Sequence, residues 1–150
     1  MTGVAVLGCT GSIGNTTMQV IDGLRQQDGA EAWTVPVLTA GRRVDELIAL
    51  ARRWQPQLVC VTDEEAAHRV RRELGEATRV VSGSDGLCLA ASESDVDIVV
   101  NGLVGAVGLL PTLTALAAGL PVAMANKEPL VMAGGLVLSA ARAHGGRILP

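Results

Sequence analysis

The chain has 150 residues and a formal net charge of -3 at pH 7, with 49% hydrophobic and 18% charged residues. That allows one domain with a substantial core and excludes a disordered chain. A pI near 5.3, with no basic run longer than a pair, argues against general nucleic-acid binding.

Residues 4–7 form a short apolar run that reads as a strand. Residues 8–14 make a glycine-rich turn, and helical periodicity begins near Ile13 through Met18, Ile21 and Leu24. Residues 33–38 give a second strand, which Pro36 weakens because it lacks a ladder donor and prefers an edge or a bulge. Residues 43–54 repeat apolar positions at helical spacing, and Pro56 ends them. Residues 58–61 are a third strand, and Thr62-Asp63-Glu64-Glu65 resembles a capped helix start running to about Leu74. Residues 79–81 read as a weak strand and 84–91 as a short helix. Residues 96–100 are a strand apolar except for Asp97, followed by a turn at 105–108 and a helix at 109–118 with Pro111 in its first turn. Residues 122–125 are another strand, Asn126-Lys127-Glu128-Pro129 interrupts it, and a helix follows over 130–143, softened by Gly134-Gly135. Residues 147–149 begin one more strand. Strands alternate with helices, and many strands are continuously apolar. This predicts an α/β fold: a doubly wound, mostly parallel sheet with Rossmann-like topology. Aromatic residues are 1%, with neither Tyr nor Phe, so the core is expected to be aliphatic.

The segment from residue 96 to 120 is interrupted by Asp97, Asn101, glycines and Pro111, so it does not read as a membrane span. The N-terminus lacks a basic region before an apolar one, so no secretory signal is expected. Cys9, Cys60 and Cys88 are widely spaced and form no close Cys/His cluster. Structural zinc and a disulfide framework are therefore not expected, and a reducing, cytoplasmic setting fits.

The turn Gly8-Cys9-Thr10-Gly11-Ser12-Ile13-Gly14 sits between a strand and a helix. There, glycines permit close approach of a pyrophosphate, and the helix N-terminus supplies free N–H groups. Its glycine spacing is a variant of the dinucleotide fingerprint, and the absence of a following Lys excludes a Walker A loop. The alternative is a glycine turn used only for close packing. At the exit of the second strand, Thr39-Ala40-Gly41-Arg42-Arg43 holds no acid and two guanidiniums, which favours NADP over NAD. The competing reading makes Arg42 and Arg43 solvent-facing residues at a helix start.

Lys127 is the chain's only lysine and follows a buried strand, at the edge where open α/β sheets bind ligands. It suits a substrate phosphate or oxyanion, and Asn126 suits a nicotinamide ribose or carboxamide. The alternative is a polar turn in which Glu128 caps the next helix. Asn101 is a further candidate for the same edge. His68 and His144 read as exposed or boundary residues, Cys9 as a buried thiol, and Trp33 and Trp54 as packing residues.

Three segments carry a resemblance that spans the whole chain: the 8–14 turn, Val104-Gly105-Ala106-Val107-Gly108-Leu109-Leu110-Pro111-Thr112, and Ala125-Asn126-Lys127-Glu128-Pro129-Leu130-Val131. Together they resemble the N-terminal NADPH-binding domain of the 1-deoxy-D-xylulose 5-phosphate reductoisomerase family. That family usually has Ser at the position of Cys9, Ser or Thr at Pro129, and Lys-Asn at Arg42-Arg43. The resemblance implies a metal-dependent rearrangement of 1-deoxy-D-xylulose 5-phosphate followed by NADPH reduction to 2-C-methyl-D-erythritol 4-phosphate, in non-mevalonate isoprenoid biosynthesis. It implies that Thr10, Gly11, Ser12 and Ile13 hold the pyrophosphate and that Gly41, Arg42 and Arg43 surround the 2'-phosphate. Asn126 and Glu128 would contact the cofactor, and Lys127 the substrate.

In the family, the sequence after Leu149-Pro150 continues into the acids that bind Mg²⁺ or Mn²⁺. The expectation is therefore an NADPH-binding domain over residues 1–150, cut just before the metal-binding region and inactive alone, from a parent that is homodimeric. A free-standing NADP-binding or regulatory module and another dehydrogenase are the competing readings.

Overall fold

The computed structural model describes residues 1–149, and the terminal Pro150 lies outside them. The chain forms β1 (Thr2–Leu7), α1 (Ser12–Asp28), β2 (Trp33–Thr39), α2 (Val44–Trp54), β3 (Leu58–Val61), α3 (Glu64–Leu74) and β4 (Arg79–Ser82). It continues with α4 (Gly83–Ala90), β5 (Ile98–Asn101), α5 (Leu109–Ala117), β6 (Val122–Met124), α6 (Glu128–His144) and β7 (Ile148–Leu149). The strands make one sheet in the order β4-β3-β2-β1-β5-β6-β7. Every pairing in it is parallel. The order reverses between β1 and β5, a topological switch point of the kind beside which α/β sheets bind ligands.

The strands are apolar throughout because both faces are covered. On one face, Met18, Ile21, Leu47, Ile48, Trp54, Ala67 and Val70 of α1–α3 pack on Val4, Val6, Val59 and Val61. On the other, Leu87, Ala90, Ala115, Leu116, Val137 and Ala141 of α4–α6 pack on Ala5, Leu7, Leu58, Cys60 and Val99. Successive residues of β1 and β3 thus serve opposite cores, as the strand period of two requires. Burying each Val or Leu side chain contributes about 1.5–3 kcal/mol, which lets an aliphatic core hold the domain without Phe or Tyr.

Pro36 resolves as a bulge in an interior strand. Gly3 pairs with Thr34 and Ala5 with Val37, so β2 carries one extra residue there. Val35 belongs to one core and Val37 to the other, which marks the same slip. Strand β5 starts at Ile98, later than expected. Asp97 precedes it and still joins the ladder: its Oδ2 accepts from the Gly3 N–H at 2.7 Å, and its own N–H donates to the Gly3 carbonyl.

The capped start of α3 is present, with Asp63 Oδ1 accepting from the Ala66 N–H at 2.9 Å. Exposed pairs line the helices, including Arg52–Glu73, Arg53–Asp22 and Arg71–Glu64. The Arg71 and Ser82 hydrogen bonds hold the Glu64 carboxyl below the usual carboxylate range. Helix α6 begins at Glu128, earlier than expected, and its backbone breaks helical geometry at Ala133, just before Gly134-Gly135. Trp54 is buried with Arg25 and Arg53 over its ring, and Trp33 donates to Asp28, so both act in packing. Among the described residues, no helix is long and apolar enough to cross a membrane.

Candidate functional site

The site builds from the exits of β1, β2, β5 and β6. These strands are parallel, so their exits share one edge of the sheet. After β1 the chain turns at Gly8, whose φ of +81° suits glycine. The Gly8 N–H donates to Thr39 Oγ1 at 2.9 Å, and the Cys9 N–H donates to the Thr39 carbonyl at 2.8 Å. Gly14 then lets α1 press onto the turn. A Cβ there would lie 2.3 Å from the Gly8 oxygen and 2.5 Å from Cys9 Cα. The close-packing and ligand-binding readings of these glycines are therefore compatible, because the packing is what brings the helix start to the sheet edge.

No side chain caps the N-terminus of α1, and the first intrahelical bond runs from Asn15 N–H to the Gly11 carbonyl. The N–H groups of Ser12, Ile13 and Gly14 precede that bond and are left without intrahelical acceptors. Free donors at the positive end of a 17-residue helix are an arrangement that suits an anion. The Cys9 thiol is fully buried beneath it, and burial pushes it up to about 12, in keeping with a packing thiol.

The β2 exit presents Gly41, Arg42 and Arg43, all exposed. Arg43 is tied in two directions: Nη1 donates to the Thr10 carbonyl at 2.7 Å and stands 3.6 Å from Glu46. Arg42 has no side-chain partner among the described residues. Beside Gly41, an apolar cavity of about 240 Å³ opens between Thr39, Cys60, Leu87, Leu103 and Val107. Leu87, Leu103 and Val107 carried no sequence signal for this role, since each reads as an ordinary aliphatic residue.

At the β5 exit, Asn101 turns inward instead of lining the open edge. Its Nδ2 donates to the Gly108 carbonyl (3.0 Å) and Thr112 Oγ1 (2.8 Å), and its Oδ1 accepts from the Leu103 N–H (3.1 Å). It is 3% exposed and pins the 102–108 turn. Asn126, after β6, is half-buried and donates from Nδ2 to the Leu103 carbonyl at 2.7 Å. Lys127 is exposed and occupies the N-cap of α6, and Glu128 begins that helix without capping it by a side-chain bond. Pro129 falls in the first turn, where an N–H would have no intrahelical acceptor, so its ring costs α6 no bond.

These exits are linked side to side. Arg43 joins the β2 exit to Thr10, the Gly8 turn packs against Gly102 and Leu103, and Asn126 joins the β6 exit to Leu103. Thr10, Gly11, Ser12, Ile13, Gly41, Arg42, Arg43, Asn126, Lys127 and Glu128 therefore belong to one continuous rim. His68 and His144 are exposed and lie on helices outside the rim. Among the described residues, no group of three His, Cys, Asp or Glu side chains could hold a metal ion.

Comparison with known proteins agrees with this fold. The family profile of 1-deoxy-D-xylulose 5-phosphate reductoisomerase matches residues 4–134. The 1-deoxy-D-xylulose 5-phosphate reductoisomerase of Pseudomonas putida is 46% identical over 150 residues, covering 98% of this chain and 36% of that protein. A crystal structure of DOX-P reductoisomerase in complex with NADPH, fosmidomycin and magnesium superposes with a TM-score of 0.90 at 39% identity, covering 100% of this chain and 36% of that one. The Zymomonas mobilis enzyme in complex with NADPH gives 0.88 at 36% identity, over 99% of this chain and 38% of that one. A putative homoserine dehydrogenase of Archaeoglobus fulgidus, 19% identical with a TM-score of 0.59, shares the fold. The chain spans a little over a third of the length of the relatives it matches. It belongs to the 1-deoxy-D-xylulose 5-phosphate reductoisomerase family.

Proposed function

We propose that this chain is the NADPH-binding part of a cytoplasmic reductoisomerase that converts 1-deoxy-D-xylulose 5-phosphate to 2-C-methyl-D-erythritol 4-phosphate. The observation that carries the reading is the uncapped start of α1, seated on the glycine turn within reach of the Gly41-Arg42-Arg43 exit. NADPH, when bound, supplies a hydride to a carbonyl carbon. Thr10, Gly11, Ser12 and Ile13 would cradle its pyrophosphate. Gly41, Arg42 and Arg43 would frame its 2'-phosphate, and the adjoining apolar cavity suits the adenine face. Asn126 and Glu128 would orient the nicotinamide end. Lys127, exposed on the same rim, would meet the sugar-phosphate substrate.

The described residues do not fit the Mg²⁺ or Mn²⁺ that this chemistry uses, because they bring no three ligands together. We assign the metal ligands, and the contacts of a homodimeric parent, to the remainder of the longer protein. Titration of this chain with NADPH and NADH tests the cofactor reading. Saturable binding that favours NADPH is expected, and equal affinities or no binding would overturn it. Turnover of 1-deoxy-D-xylulose 5-phosphate by these 150 residues alone is not expected, and its detection would overturn the placing of the metal outside them.

A further inference from the structure

We propose that Arg43 is a positioning residue that clamps the pyrophosphate turn, and that Arg42 alone of the pair reads the cofactor's 2'-phosphate. This rests on the cofactor reading above and revises it at one residue, since Arg43 would hold the turn instead of framing the 2'-phosphate. The peptide plane joining Thr10 to Gly11 is held from both sides. Its carbonyl accepts from Arg43 Nη1 at 2.7 Å and from Asn15 Nδ2 at 3.4 Å, while its N–H donates to the Gly8 carbonyl at 3.1 Å. A peptide fixed at both ends cannot flip. The next N–H groups, of Ser12 and Ile13, therefore keep the direction an anion needs. The guanidinium also offsets the partial negative charge of the Thr10 oxygen, which would otherwise stand unbalanced beside a bound phosphate.

The clamp occupies Arg43. Its guanidinium spans from the β1 turn to Glu46 of α2, and Arg43 is not among the residues that line the open groove beside Gly41. That groove, about 400 Å³ and distinct from the apolar cavity described above, is lined by Arg42, Arg69 and Arg72 together with the carboxylates Asp63 and Glu65. Arg69 is engaged by Asp45, whereas neither Arg42 nor Arg72 has a side-chain partner among the described residues. Arg42 adjoins Gly41 directly, whereas Arg72 stands in the last turn of α3, so Arg42 is the free guanidinium at the strand exit where the 2'-phosphate is expected. The two neighbouring arginines thus differ in role although the sequence presents them as a pair.

Two measurements on this chain separate the roles. The first is amide hydrogen exchange over residues 8–14 without cofactor. Arg43→Ala should speed exchange there and Arg42→Ala should not. Arg43→Lys should restore protection in part, because an ammonium can donate to the same carbonyl. The second is titration with NADPH and NADH at fixed ionic strength. Arg43→Ala should weaken both by the same factor, about two- to tenfold for a lost charge-assisted hydrogen bond at an exposed site, leaving their ratio unchanged. Arg42→Ala should bring the two affinities together. Loss of NADPH binding alone in Arg43→Ala, or unchanged exchange in it, overturns the proposal. The exchange experiment needs no ligand, so it judges the clamp even if the wild-type chain binds neither dinucleotide and the cofactor reading fails.

Discussion

Replacing Gly14 by Ala sets a methyl group against backbone. The new Cβ would lie 2.3 Å from the Gly8 oxygen, 2.5 Å from Cys9 Cα and 2.6 Å from Cys9 C. Ordinary carbon contacts lie at about 3.5–4.0 Å, so α1 has to retreat from the turn by about 1 Å. Overpacking of this kind costs about 1–3 kcal/mol, and with backbone on every side the upper end applies. Helix propensity works the other way, because Ala is favoured over Gly by about 1 kcal/mol inside a helix. The net expectation is a loss of about 2 kcal/mol, or about 4–8 °C in Tm for a domain of this size. Gly23 lies in the same helix, and a Cβ there meets nothing within 4 Å. Gly23→Ala should therefore raise stability by about 1 kcal/mol. Urea unfolding followed by far-UV circular dichroism measures both variants against wild type. Opposite signs are required. If Gly14→Ala is as stable as wild type, or shifts in the same direction as Gly23→Ala, the close seating of α1 on the turn is refuted. The retreat would also move the Ser12 and Ile13 N–H groups, so NADPH affinity should fall in Gly14→Ala and hold in Gly23→Ala.

Asn101→Ala strands the Leu103 N–H and weakens the hold on the Gly108 carbonyl and Thr112, at about 1–3 kcal/mol per unsatisfied buried group, and urea unfolding at unchanged m-value checks it. A loss below 0.5 kcal/mol, at the level of about half a hydrogen bond, would show that the turn is held by something else. Alkylation at pH 8 read by mass spectrometry should mark half-buried Cys88 in the native chain and reach buried Cys9 and Cys60 only on unfolding. Burial pushes Cys9 up to about 12 and Cys60 up to about 11 from an ordinary 9.0. Above pH 9 the unfolded chain therefore gives up these protons first. The stability tied to both thiols is full below pH 9 and falls as pH rises towards 11 and 12, so Cys9→Ala should flatten the alkaline limb of a stability–pH curve.

Periodicity made the element order legible, because both sheet faces are covered and helices repeat at 3.6. Pro36 announced an edge or a bulge, and only the interior place of β2 in the strand order decides for the bulge. Thr62-Asp63-Glu64-Glu65 showed a capped start for α3, and the structure assigns the cap to Asp63. Boundaries were less legible. Asp97 looked like a polar residue within β5, yet it uses its carboxylate in place of the strand's next backbone acceptor. Glu128 looked like a cap, but the helix starts at it and leaves Lys127 in the capping position.

What the sequence hides is which strand exits become neighbours. Asn101 and Asn126 each follow an apolar strand and look equivalent as ligand-edge residues. The strand order makes β5 central and places the 102–108 turn over its exit, so Asn101 is consumed in holding that turn. Asn126, one strand further out, reaches back to the same turn at Leu103 and leaves the Lys127 side chain exposed beside it. The same logic separates Arg42 from Arg43. Adjacent in sequence, they diverge because β2 lies beside β1, which puts the Thr10 carbonyl within reach of one guanidinium. A residue's chemistry can be read from the chain. Whether that chemistry stays available to a ligand depends on the hydrogen-bond demands of neighbouring exits, and those follow from the strand order.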